Sequence, residues 1–384
     1  MTELYLDWAA TTPIHPEALK ILTQVYEEIY GNPSSIHQWG VKARELLESS
    51  RARFAELLGA SPNQVVFTSG GSESNNLVFT SLLLKPKAHA IVPLLEHASV
   101  YEPSRILERL GWEVTRIPSA GDGRIDPLQV ISSLRKNTSF IALMWVNNET
   151  GALQPVADVI REARKVEQRP LHIHVDAVQG VGKFPLQFQQ LGADSLSISA
   201  HKFRGPRGVG ALLVKKPFPS LLVGGGQERG IRPGTENVAG IAGMVKALEI
   251  AVSNKEENFQ KAQQVMDTLL LLLKKCRQCK ILPEDRLLYP DRYSPYIVSI
   301  AFPPLPGEVL VRVLNEKGFG VSTGSACSSR KKRDTRVLEA SGVSSTLAFS
   351  SLRVSIGPTI TEKEIQTFAQ QLLEEVRILF QVAK

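Results

Sequence analysis

Between Val65 and Val214, short β-rich runs (VVFTS, HAIVPL, EVTRIP, SFIALMWV, HIHVD, SLSIS, GALLV) alternate with segments of helical period such as SESNNLVFTSLLL and VADVIREARKVEQ. That rhythm marks βα units around a mostly parallel sheet with helices on both faces, an α/β architecture. In such sheets ligand chemistry belongs at the carboxyl ends of the strands. Beyond the glycine-rich LVGGGQERGIRPGTEN, one long helical stretch is expected from about Asn237 to Cys279. It leads to a second set of elements, IVSIAF, GEVLVRVLNEKG, LRVSIG and a final helix from about Thr361. The long helix reads as the bridge between a large and a small domain.

The bulk properties agree. A chain of 384 residues with 43% hydrophobic content can bury a core for two domains, or for one large domain with a smaller one appended. No apolar run approaches the roughly 18 residues needed to span a bilayer. The opening MTELYLDWAATTP lacks a basic start followed by an apolar stretch, so the expectation is a cytoplasmic protein. Three cysteines make no disulfide framework and fit a reducing compartment. The net charge of +7 is spread among interleaved acids and bases, which argues little for nucleic-acid binding. The dense basic run is Arg330 to Arg333.

Candidate chemistry sits at successive strand ends. TSGGSESNN, Thr68 to Asn76, follows a strand and opens a helix, so the amides of Gly71 and Ser72 suit a phosphate. The competing reading is a plain helix start capped by Ser72. HIHVDAVQG puts Asp176 at the sheet's carboxyl edge with Gln179 just after it. His97 in LLEHASV and Asn148 in WVNNETG, taken singly, read as a capping histidine and a turn. Lys202 ends a strand in SISAHKFRGPRG. Together, a lysine able to form an imine, a carboxylate able to keep a pyridine nitrogen protonated and a phosphate cradle are the requirements of pyridoxal phosphate.

LDWAATTP, GNPSSIH, TSGGSESNN, EH, VNNETG, HVDAVQ, SAHKFRGPRG, GGGQERGIRPGTEN and TGSACSS follow one another nearly end to end. In this the chain resembles the cysteine desulfurases, class V aminotransferases of fold type I. The resemblance implies a large domain with a mostly parallel seven-stranded sheet (residues 13–250). A smaller α+β domain would comprise residues 1–12 and 251–384. It implies that Lys202 binds the cofactor covalently, that Asp176 pairs with the pyridinium nitrogen, and that His97 stacks on the ring and assists proton transfer. Gln179 and Asn148 would reach the ring oxygen or the substrate. Gly71, Ser72, Ser199 and His201 would line the phosphate, joined by Thr235 from the other subunit of a homodimer. Arg353 matches the arginine that clamps the substrate carboxylate, a task suited to a planar bidentate donor. Taken without the family, it is a surface arginine beside a strand.

The expected reaction takes sulfur from L-cysteine, leaving L-alanine and a persulfide on Cys327 that passes to an acceptor protein. Cys327 lies in a run of small residues, and Arg330 to Arg333 should favour its thiolate. No resident metal is implied, although Cys327 could transiently ligate an iron–sulfur cluster. Cys276 and Cys279 form a lone CRQC and read as incidental. Two positions depart from the family: Ser72 where Thr is common, and Trp8 where Asn or Tyr is expected. Lys384 follows soon after the last helix, without the longer tail with which some members dock an iron–sulfur scaffold. Cluster assembly, tRNA thiolation and cofactor sulfuration therefore all stay open as destinations of the sulfur. The alternatives are a selenocysteine lyase or another class V aminotransferase and, from a different class, a basic binding or scaffold protein.

Overall fold

The computed structural model describes residues 3–166, 170–324 and 335–382. After a short first strand, β1 (Leu4–Tyr5), seven strands build one sheet. They are β2 (Val65–Thr68), β3 (His89–Pro93), β4 (Glu113–Ile117), β5 (Thr138–Met144), β6 (His172–Asp176), β7 (Ser195–Ser199) and β8 (Gly210–Val214). Their order across the sheet is β2-β8-β7-β6-β5-β3-β4, and only β8 runs antiparallel to its neighbours. All seven β-rich runs read from the sequence are strands here. Residues of β2, β3, β7 and β8 are buried without exception, as expected where helices cover both faces.

The remaining strands are β9 (Lys280–Leu282), β10 (Ile297–Ala301), β11 (Phe319–Gly320) and β12 (Ser351–Ser355). β9, β10 and β12 form an antiparallel three-stranded sheet, and β1 pairs with β11. A second apolar core gathers Leu269, Val298, Leu310, Leu352 and Phe368, and takes in Leu4, Leu6 and Ala9 from the chain start.

One expectation needs correction. The long helix is two helices, Val238–Ser253 and Lys255–Lys274, which end well before Cys279. Asn254, at φ −100° and ψ 13°, closes the first and opens the second. The first is apolar on nearly all sides and packs against the helix Pro16–Glu28, whereas the second presents its buried stripe to the other core. No single straight rod can satisfy both.

Within the large sheet, His172 and His174 are held neutral by burial, their pKa values lowered from 6.5 to about 4 and about 3. The sign follows directly. Between about pH 6.5 and pH 4 the unfolded chain binds protons at these positions that the folded chain refuses, so stability falls as pH falls. Glu96 opposes with one proton, because burial raises its carboxyl to about 8. Each histidine contributes at most about 1.4 kcal/mol per pH unit. Thermal melts from about pH 7 down to about pH 5 should show a falling midpoint, less steep in His174→Gln; equal slopes would refute this account.

Candidate active site

β2 delivers the chain to a turn whose Gly70 has φ 149°, a conformation that glycine adopts readily, and the helix Gly71–Leu82 starts there. Gly70, rather than Ser72, is therefore the N-cap. A Cβ on Gly71 would lie 2.5 Å from the Val178 side chain, so the helix start can sit this close to the end of β6 only as glycine. A cavity of about 290 Å³ opens at this N-terminus, lined by Gly70, Gly71 and Ser72 with Ser199, His201 and Arg207. Burial, reinforced by Lys202, lowers the His201 pKa to about 4, so its imidazole is neutral. The four phosphate-lining residues expected from this chain's own cavity are thus together. Glu73, also on the wall, accepts from the Ser69 amide and pairs with Arg232 at 3.1 Å.

Asp176 ends β6 and is 6% exposed. Its Oδ1 accepts from the Val178 amide at 3.1 Å and its Oδ2 from Asn75 Nδ2 at 2.9 Å. Asn75 donates to a carboxylate, so its Oδ1 must accept, and it does so from Nε2 of the neutral His174 at 2.9 Å. The same Asn75 amide nitrogen reaches Ser99 Oγ at 2.8 Å, and Ser99 Oγ in turn lies 2.8 Å from His97 Nδ1. His97 Nδ1 also accepts from the Ser99 amide at 3.1 Å, which leaves the Nε2 position to carry the imidazole proton. His97 is thus both the N-cap of the helix Ala98–Arg109 and a member of the site, joined to Asp176 through Ser99 and Asn75. Burial lowers its pKa and keeps it a neutral base.

Lys202 follows β7 in a single helical turn, and its Nζ donates to the carbonyls of Ala9 at 2.6 Å and Ala10 at 2.7 Å. Gln179 Nε2 donates to the same Ala9 carbonyl at 2.8 Å. Arg353, in the middle of β12, is only 2% exposed rather than a surface residue. Its guanidinium pairs with Asp7 at 2.7 Å and donates to the carbonyls of Asn148 at 2.8 Å and Gly324 at 3.1 Å. Its Nε, like Asn148 Oδ1, is buried with no partner. The segment Asp7 to Thr12 therefore touches Lys202, Gln179, His201 and Arg353 at once.

Thr235 is exposed and lies off the phosphate cavity, in a segment that ends at the cap of helix Val238–Ser253. That segment is anchored by Glu228, which takes a two-point contact from the buried Arg51 at 2.7 and 2.8 Å. Glu228 and Arg229 hold left-handed φ values of 43° and 57°. Trp8 is buried against Gly357. Cys327 and Arg330 to Arg333 lie outside the described residues. Cys276 and Cys279 flank a turn after the helix Lys255–Lys274, and burial, with Cys276 beside it, pushes the Cys279 thiol up to about 12. Asp7, Asn75, Ser99 and Arg207 are members of the site that no sequence signal singled out.

The family model for class-V aminotransferases matches residues 4–368. The chain belongs to the class-V aminotransferase family. Among the relatives of this class-V aminotransferase is cysteine desulfurase IscS of Dictyoglomus turgidum, 39% identical over 97% of this chain and 94% of the relative. A solved structure of a NifS-like protein superposes with a TM-score of 0.90 at 34% identity, covering 98% of this chain and all of the other. The structure of SspA in complex with cysteine gives a TM-score of 0.80 at 30% identity, covering 93% and 99%.

The family implies pyridoxal phosphate, and the residues present fit it. A helix N-terminus with Ser72, Ser199, neutral His201 and Arg207 suits a phosphate. Asp176, with its Oδ2 fixed by Asn75, suits a ring nitrogen, and Lys202 a covalent anchor. The orphaned Asn148 Oδ1 and Arg353 Nε are buried polar atoms that call for partners.

Proposed function

We infer that this chain is a cysteine desulfurase, which takes the sulfur of L-cysteine, releases L-alanine and carries the sulfur as an enzyme persulfide. The observation that carries this reading is the convergence of Lys202, Asp176, His97 and the cavity at the N-terminus of the helix Gly71–Leu82 at one edge of the sheet. The names of the relatives support it. When bound, pyridoxal phosphate supplies an electron sink that lets a Cα–H bond of an amino acid break.

Each residue then has a task. Lys202 would anchor the cofactor, and its Nζ as a free amine, which here donates to the Ala9 and Ala10 carbonyls, would accept the Cα proton. Asp176, held by Asn75 and the Val178 amide, would keep the pyridine nitrogen of a bound cofactor protonated. Arg353 binds the substrate α-carboxylate, with Asp7 fixing the plane of the guanidinium. Gln179 and Asn148 serve the ring oxygen or the substrate, and neutral His97 takes the thiol proton. Cys327 attacks the substrate sulfur. The S–S bond forms as the C–S bond breaks, and the released electron pair stays on carbon, which is protonated and leaves as alanine. The half-buried Cys279, with its raised pKa, is a poor competitor.

We further propose the division into a large domain, 13–250, and a small domain of 1–12 and 251–384, together with a homodimer that delivers its persulfide sulfur to an acceptor protein. Among the described residues no helix is long and apolar enough to cross a membrane. In the dimer, exposed Thr235 would reach the partner's phosphate cavity. Cofactor affinity and dimerisation are then linked by mass action. Light scattering on diluted apoprotein and holoprotein should show the holoprotein dimeric to lower concentration, and Thr235→Val should narrow the difference. A monomer that retains its full cofactor complement would overturn the shared cavity.

A further inference from the structure

A second cavity, of about 250 Å³, adjoins Lys202 and is walled by Trp8, Lys183, Arg204 and Tyr296. Lys183 is the unexpected member. Its Nζ donates to Gln179 Oε1 at 3.2 Å and lies 5.7 Å from the centre of the Tyr296 ring, and among the described residues no carboxylate pairs with it. Gln179 passes the contact on, because its other amide atom, Nε2, donates to the Ala9 carbonyl that Lys202 Nζ also uses. Two lysine nitrogens are therefore connected through one glutamine and one carbonyl. With Lys183 donating to Oε1, the Gln179 amide can present only its NH2 to Ala9.

We propose that Lys183 is a positioning residue for the reaction: its ammonium orients the Gln179 amide and disfavours a second positive charge on Lys202, keeping the Lys202 nitrogen ready to release its proton. The proposal rests on Lys202 being the cofactor's anchor. A lysine placed beside another cation is activated in this way because protonating both costs Coulomb energy. From the strand β7 side, Lys183 faces Lys202 and neutral His201; from the helix Lys255–Lys274, the cavity wall brings Glu257, already paired with Lys261 at 2.6 Å. His15 and Arg204 add no negative charge, and burial raises the Tyr296 phenol so that it stays neutral. Burial first, and Lys202 second, lower the Lys183 pKa to about 7.

The test is the pH titration of the visible absorbance of the lysine-bound cofactor, in wild type, Lys183→Met and Lys183→Arg, each reduced with borohydride and mapped to confirm the labelled lysine. Removing the cation should raise the midpoint for protonation of the linkage by about one pH unit, while the permanent charge of arginine should hold it at or below the wild-type value. If Lys183→Met does not fold, the arginine variant still decides, because a midpoint above wild type contradicts the proposal. Equal midpoints in all three proteins, or the same upward shift in both variants, would overturn it while leaving Lys202 as the anchor. A label on another lysine would remove both assignments together.

Discussion

Lys202→Ala is expected to lose at least about 10³-fold in turnover while keeping its fold and most of its phosphate affinity. The side chain lies at the exit of β7, is only partly buried, and its Nζ donates to the backbone carbonyls of Ala9 and Ala10. The phosphate cavity is built from Gly70, Gly71, Ser72, Ser199, His201 and Arg207, none of which depends on the lysine amine for its position. Cofactor should therefore still enter, bind without a covalent link, and be removed by dialysis. Absorbance before and after dialysis, with alanine production from L-cysteine, checks both halves. Retention of a reducible covalent link in the variant would show that another lysine is the anchor.

Cys327→Ala should separate the two halves of the reaction. Steps that need only Lys202, Asp176 and Arg353 remain, so adding L-cysteine should still perturb the cofactor's spectrum. Sulfur transfer lacks its nucleophile, and persulfide and reductant-released sulfide should fall to background, a loss of about 10² to 10⁴-fold. Replacing Cys276 and Cys279 together should leave the rate nearly unchanged, since Cys279 is locked as a thiol by its high pKa. Normal sulfide release from Cys327→Ala would assign the chemistry elsewhere.

The sheet was legible because each of its strands is a short, β-rich run set between turn signals and helices, and burial on both faces demands that pattern. Lys202, Asp176 and His97 were legible as candidates because they stand where those runs end. Their connection was not. Asn75 and Asp176 are 101 positions apart, and their hydrogen bond exists only because the sheet sets β6 beside the helix Gly71–Leu82. Nothing in the sequence singles out Ser99, although it bridges Asn75 and His97. The break at Asn254 was hidden for a related reason: helix-forming residues continue on both sides of it, and only the two separate cores show that the stripe changes partner there. Arg353 was misleading by residue type, since a charged side chain in a strand reads as solvent-facing until Asp7, some 346 residues away, is seen to neutralise it.

The most direct measurement is mass spectrometry of the wild-type holoprotein after brief incubation with L-cysteine and alkylation of thiols and persulfides. The account predicts one additional sulfur atom on the peptide carrying Cys327, formed together with alanine, and none on the peptide carrying Cys276 and Cys279. Alanine formation with Cys327 unmodified, or the extra sulfur on Cys276 or Cys279, would contradict it.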